Sequence, residues 1–162
     1  MTAVTEVLAM AAMAALLGSA LVAGVFFAFS SFVMGALARL PAAEGIAAMQ
    51  SINVVVLNRS FLGTFVGTAI VSLLVAGLAV AGWGNPGAPW FLAGALSYLA
   101  GTFLVTGLGN VPLNDRLAAV SAADAAAVPL WEHYLERWTH LNTLRTVAAA
   151  AAVLLFAVGL QH

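Results

Sequence analysis

The chain contains no cysteine. That excludes disulfides, cysteine-bound zinc, iron–sulfur clusters and a thiol nucleophile together. Charge is nearly as scarce: Asp, Glu, Lys and Arg make up 7% of 162 residues, where a soluble domain carries about 25%. The net charge is -1 and no basic run occurs, which argues against nucleic acid as a partner. The N-terminus, MTAVTEVLAM, has no Lys or Arg ahead of its apolar run. A secretory signal needs a basic start and a short apolar core. This run continues to about Leu37, so the expectation is a retained transmembrane helix. Alternation of barrel-strand length is also missing, which removes a membrane β-barrel.

What remains is overwhelmingly apolar, 64% hydrophobic with a mean hydropathy of +1.07. Such a surface has to face lipid. Four runs reach the length of about 20 residues that a bilayer crossing needs; they cover residues 7–37, 61–81, 90–108 and 141–160. Only helices satisfy their own backbone in lipid once barrels are excluded. The expected fold is therefore all-α, an integral membrane four-helix bundle in one domain over residues 1–162. Ala42 to Asn58 is too short and too polar to span. Its Ile46, Met49, Asn53, Val56 and Leu57 share one helical face, so it reads as an interfacial or re-entrant helix covering the bundle end. Pro112 is expected to end the third span, with Asn110, Asn114 and Asp115 bonding the freed backbone groups. The fourth span is preceded by a helical extension from Leu130 that projects from the membrane.

Small residues mark packing faces. Ala20, Gly24 and Ala28 recur at four-residue spacing in the first span, and Gly63 and Gly67 form a GxxxG pair in the second. The pair serves packing inside one chain or between copies in a homo-oligomer. Tyr98, Thr102 and Thr106 give the third span a weakly polar face. Arg39 and Arg59 bound the first connection, and Arg116 and Arg137 lie in the third. The positive-inside rule makes those connections cytoplasmic, with both termini outside a cell membrane that the chain crosses several times.

Polar chemistry gathers between Trp131 and Arg145, WEHYLERWTHLNTLR. On a helix it divides into two faces. Trp131, Trp138, Asn142 and Arg145 fall within a sector of about 60°, bordered by Tyr134 and Leu141. An Arg about one turn into a span needs an interior partner or a watery cavity. Asp115, Glu132 and Asn110 are the candidate partners; snorkelling to the headgroups is the alternative. Asn53, Asn58 and Asn110 lie at the same end, which favours a polar cavity. His133, Glu136 and His140 form the other face, with spacing that suits either a metal ion or a solvated rim.

Taken together, GVFFAFSSFVMGAL at Gly24–Leu37, MQSIN and VLN between Met49 and Asn58, NVPLNDRLA at Asn110–Ala118 and W-x6-W-x3-N-x2-R at Trp131–Arg145 resemble the anthrone-oxygenase-like family of small four-span membrane proteins. At His140 the chain departs from that pattern, where an aromatic residue is usual. The resemblance implies oxidation of a planar phenolic or polyketide-type substrate with O2 and without a recognised cofactor. Such chemistry needs enolate stabilisation in a dry pocket. Arg145, Asn142 and Asn110 are the candidate donors to the enolate oxygen. Asp115, His133 or His140 are the candidate bases. Trp138, Trp131, Phe29 and Phe32 are the candidate substrate-binding rings, with Asn53, Asn58 and Asn114 beside them. The competing reading is a non-catalytic membrane module that binds a lipophilic ligand or a partner protein. A transporter is disfavoured, since no ionisable residue is expected at a midplane.

Overall fold

A computed structural model describes residues 3–162. All regular secondary structure among the described residues is helical. Four stretches are long and apolar enough to cross a membrane: Thr5–Leu37, Arg59–Ala81, Ala88–Ala118 and Ala125–Gly159. Their centres fall on the four runs read from hydropathy. The first consists of α1 (Ala3–Ala28), a π-helical segment Phe29–Val33 and the short α2 (Met34–Leu37). After a turn, α3 (Ala42–Val55) packs on the ends of the other spans. The second span is α4 (Arg59–Ala81), and the third starts as α5 (Ala88–Leu96). It continues through π-helical Ser97–Leu104 and Thr106–Asn110 into α6 (Val111–Ala118). The fourth is one long helix, α7 (Val128–Gly159). Each span packs on its neighbours in sequence, and the first packs on the last, which closes the bundle.

Small side chains allow this closeness. Ala12, Ala15, Ala79, Ala95, Ala149 and Ala152 are fully buried along the seams, so backbones approach without a hydrophobic driving force between helices. The residues making the tightest contacts are not those that the spacing picked out. A Cβ added to Gly24, Gly63 or Gly67 would meet nothing within 4 Å. Those glycines face outward, so Gly63 and Gly67 do not pack within the chain. The close approaches are instead at Gly18, against Thr68, and at Gly101, where an added Cβ would lie 2.5 Å from the Cβ of Ala148. Ser97 Oγ donates to the Ala148 carbonyl at 2.8 Å on the same seam. Gly101→Leu therefore forces α7 away from the third span. The expected loss is about 1–3 kcal/mol, readable as an earlier thermal transition in detergent; an unchanged transition would show that the seam yields freely.

The third span does not end at Pro112. Two π-helical segments precede α6, and Pro112 occupies the first turn of α6, where an N–H is dispensable. Wide turns of this kind accommodate a proline and are common beside functional sites. Asn110, Asn114 and Asp115 thus sit on a helix, not in a loop, and only some of them face inward. The second span begins with a cap: Asn58 Oδ1 accepts from Phe61 N at 3.0 Å, and its Nδ2 donates to the Val55 carbonyl at 2.9 Å. Asn58 is exposed and spends its amide on this turn, so it is a helix cap and not a pocket residue.

Placement of α3 follows its apolar face. Ile46 and Met49 are buried, and Gly45 lies so close to Trp131 that an added Cβ would be 2.8 Å from the indole. Gln50 Nε2 donates to the Leu117 and Val120 carbonyls at 2.8 and 3.0 Å, tying α3 to the end of α6. The helix stops at Val55, three residues short of the expected Asn58.

Candidate functional site

One face of α7 turns into the bundle. Trp131, Tyr134, Trp138, Asn142 and Arg145 are all buried, at spacings of three or four residues. The opposite face carries His133, Glu136 and His140, all exposed. Among the described residues no group of three or more His, Cys, Asp and Glu is arranged to hold a metal ion.

Arg145 is the centre of the buried face, with 3% of its surface exposed. Its Nη1 donates to Thr106 Oγ1 at 3.1 Å and its Nη2 to Asn142 Oδ1 at 2.7 Å. Nε has no acceptor. The guanidinium carbon lies 4.1 Å from the centre of the Phe26 ring and 5.2 Å from that of Trp138, within range for cation–π attraction. Every partner is neutral. Asp115 and Glu132, expected as counter-ions, are exposed and do not reach it. Asn110 is not a partner either. Its Nδ2 donates to the Trp138 carbonyl at 3.2 Å, and its Oδ1 is buried without a donor. It braces the third span against α7.

Asn142 orients the arginine. Its Nδ2 donates to the Phe26 carbonyl at 2.6 Å and to Ser30 Oγ at 2.7 Å. With the amide nitrogen committed to the first span, Oδ1 is left to face Arg145. The π-helical segment that starts at Phe29 brings Ser30 to this point, and Thr143 Oγ1 also meets it at 2.9 Å.

Beside Arg145 lies a cavity of about 310 Å³, at the small end of ligand sites, which run to roughly 300–1,000 Å³. Six rings line it: Phe26, Phe29, Phe61, Phe65, Phe103 and Trp138. Phe61 stacks on Phe65 at 5.9 Å and Phe65 on Phe103 at 5.3 Å, while Phe29 meets Trp138 at 5.7 Å. Met49, Ile52 and Asn53 of α3 close it from the bundle end. Its polar lining is confined to Arg145, Thr106, Asn114 and Asn53. Asn114 Oδ1 accepts from Trp138 Nε1 at 2.9 Å and from Tyr134 Oη at 2.8 Å, and Asn53 Nδ2 donates to Tyr134 Oη at 3.4 Å. This chain fixes the plane of the Trp138 indole at the cavity wall.

Several candidates fall elsewhere. Trp131 is buried but packs on Gly45 and stacks on Tyr134 at 5.7 Å, so it seats α3 and lines no cavity wall. Phe32 is 62% exposed; the π-helical turn leaves it outside. Asp115 is exposed, one residue beyond Asn114 and on the other side of α6. No Asp, Glu or His is among the described residues lining the cavity. Asn142 and Asn110 stand behind it, not in its wall. Phe26, Phe61, Phe65, Phe103 and Thr106 escaped sequence reasoning as site residues, although Phe26 lies about one helical turn before Phe29 and Thr106 shares the polar face of Tyr98.

A family model described as anthrone oxygenase matches residues 54–155, well over half of the chain. The matched region holds Arg145, Trp138, Asn142, Asn110, Asn114 and Thr106. The Phe26–Ser30 segment and nearly all of α3 lie before it. No curated protein and no solved structure matches.

Proposed function

The chain belongs to the anthrone oxygenase family, and from that premise we propose that the ring-lined cavity binds a flat phenolic ligand of the anthrone type and oxidises it with O2. The observation that carries this reading is Arg145: a buried guanidinium with only neutral partners at the wall of an aromatic cavity. A charge held out of water without a counter-ion is costly. A ligand that brings an anion removes that cost, and flat rings on either side select a flat anion.

Deprotonation of an anthrone at its benzylic carbon yields an enolate whose charge rests largely on the former carbonyl oxygen. Arg145 stabilises that oxygen, in a site from which water is largely excluded, and so favours loss of the proton. With no carboxylate or imidazole among the described residues of the cavity wall, water at the cavity mouth takes the proton. The enolate carbon then forms a bond to O2, giving a hydroperoxide after protonation. Loss of the second benzylic hydrogen breaks the O–O bond, makes a carbonyl and releases water. The methylene gives up four electrons, O2 accepts them, and one oxygen atom stays in the quinone.

The four exposed arginines, Arg39, Arg59, Arg116 and Arg137, lie at the cavity end of the bundle. By the positive-inside rule this end is cytoplasmic, both termini are outside, and the ligand enters from the inner leaflet. The outward GxxxG face of α4, with Gly63 and Gly67, is then free for a second copy in the bilayer.

The reading is tested by oxygen uptake in membranes holding the protein, over a panel of anthrones. The expected result is one quinone per O2, with one labelled atom incorporated from ¹⁸O₂. Tight ligand binding with uptake no faster than the spontaneous rate would replace the oxygenase by a non-catalytic binding module.

A further inference from the structure

Arg116 stands in the last turn of α6 and Arg137 in α7, both at the same end of the bundle. Both side chains are exposed, and neither has a hydrogen-bond or ion-pair partner among the described residues. With His133 they line one end of a groove of about 600 Å³ between the third span and α7. Away from the arginines the groove is apolar, lined by Ala100, Leu104, Val105, Leu108 and Leu141. At α-helical rise the stretch from Ala100 to Pro112 covers about 18 Å, enough to run the depth of one leaflet of a hydrocarbon core of about 30 Å. Among the described residues no Asp or Glu lines it; Asp115, beside Arg116, is exposed and outside the lining, and Glu136 lines a separate recess with His133, Arg137 and His140.

The groove is distinct from the cavity at Arg145, with which it shares no lining residue. Two unpaired cations sit where the membrane surface lies, above an apolar trough that faces lipid. A free anion would satisfy the cations and leave the trough empty. A zwitterionic lipid would fill the trough but carry its own cation to the arginines. An anionic phospholipid complements both parts, through bidentate contacts of guanidinium with phosphate and burial of an acyl chain against the leucines.

We infer that this groove is a binding site for one anionic phospholipid, its phosphate held by Arg116 and Arg137 and one acyl chain lying along Leu104 and Leu108. The site does not depend on the oxygenase reading. Neither arginine touches the Arg145 cavity, and oxygen uptake in detergent is expected to be the same with and without them.

Native mass spectrometry of the detergent-purified protein, titrated with phosphatidylglycerol and phosphatidylcholine, tests the inference. The wild type should retain phosphatidylglycerol selectively. R116Q/R137Q, altered only at exposed positions, should weaken that retention by about thirtyfold. A100W, which fills the tail end of the trough, should weaken it without removing the arginines. Inorganic phosphate in large excess should not displace the lipid. Equal retention of the two lipids, or an unchanged preference in R116Q/R137Q, would overturn the proposal. So would displacement by inorganic phosphate combined with indifference to A100W, which would mark a site for free anions.

Discussion

Arg145→Met is expected to cut oxygen uptake with an anthrone by about 10²–10³ while leaving the protein folded and at least as stable. Both halves follow from the surroundings of the guanidinium. It is buried, its two hydrogen bonds go to a hydroxyl and an amide, and its Nε has no acceptor. Such a charge lowers the stability of the empty protein, and an apolar side chain of similar length removes the penalty. The loss of activity comes from the transition state, where the developing enolate charge would face a methyl group. Arg145→Lys should fall between the two. It keeps the charge but not the planar fork that reaches Thr106 and Asn142 together. Thermal unfolding and oxygen uptake on the same preparations check both halves. A marked fall in the unfolding temperature of Arg145→Met would mean that the arginine is structural, and full activity would remove it from the site.

Trp138→Ala should cost about 3–5 kcal/mol, the largest stability loss expected of any side chain at the site. The indole is 6% exposed and packs on Tyr134 at 6.1 Å and Phe29 at 5.7 Å. Removing it joins the cavity to the space around Tyr134 and takes one donor from Asn114. Trp138→Phe is the control. It keeps a ring between Phe29 and Tyr134 and loses only the Nε1–Asn114 bond, worth about 1 kcal/mol. Asn114 Oδ1 still accepts from Tyr134, so no acceptor is orphaned. Denaturant unfolding in detergent separates the two variants, and the anthrone KM should rise more for Ala than for Phe. Equal losses in both would show that the indole N–H, not the ring, holds this wall together.

The positions of the spans were legible because the bilayer imposes a length on apolar runs, and nothing else in this chain mimics such runs. The inward face of α7 was equally plain: helical projection alone puts Trp131, Trp138, Asn142 and Arg145 together, and all four are buried. Legibility failed where the backbone leaves the α-helix. Reading Pro112 as the end of a span made residues 110–115 a loop, and a loop has no faces. On the helix that forms, Asn114 points in and Asp115, one residue on, points out. Phe32 was misplaced for a related reason, because the π-helical turn at Phe29–Val33 changes the rotation per residue. The neutral company of Arg145 was hidden too. Partners from the first and third spans, Phe26 and Thr106, are distant in sequence and carry no charge to announce themselves.

The wide turns of the third span have a consequence for how this chain can change length. In a regular α-helix such as α4, deleting one residue rotates everything beyond it by about 100° and turns buried Phe65, Thr68 and Ser72 toward lipid. A π-helical segment already carries surplus residues in its turns. A deletion within Ser97–Leu104 can be absorbed by tightening one wide turn to an α turn, with Ala95 and Asn110 kept on their faces. The third span is thus the part of the bundle where descendants of this gene can gain or lose a codon and still close the same ring of helices.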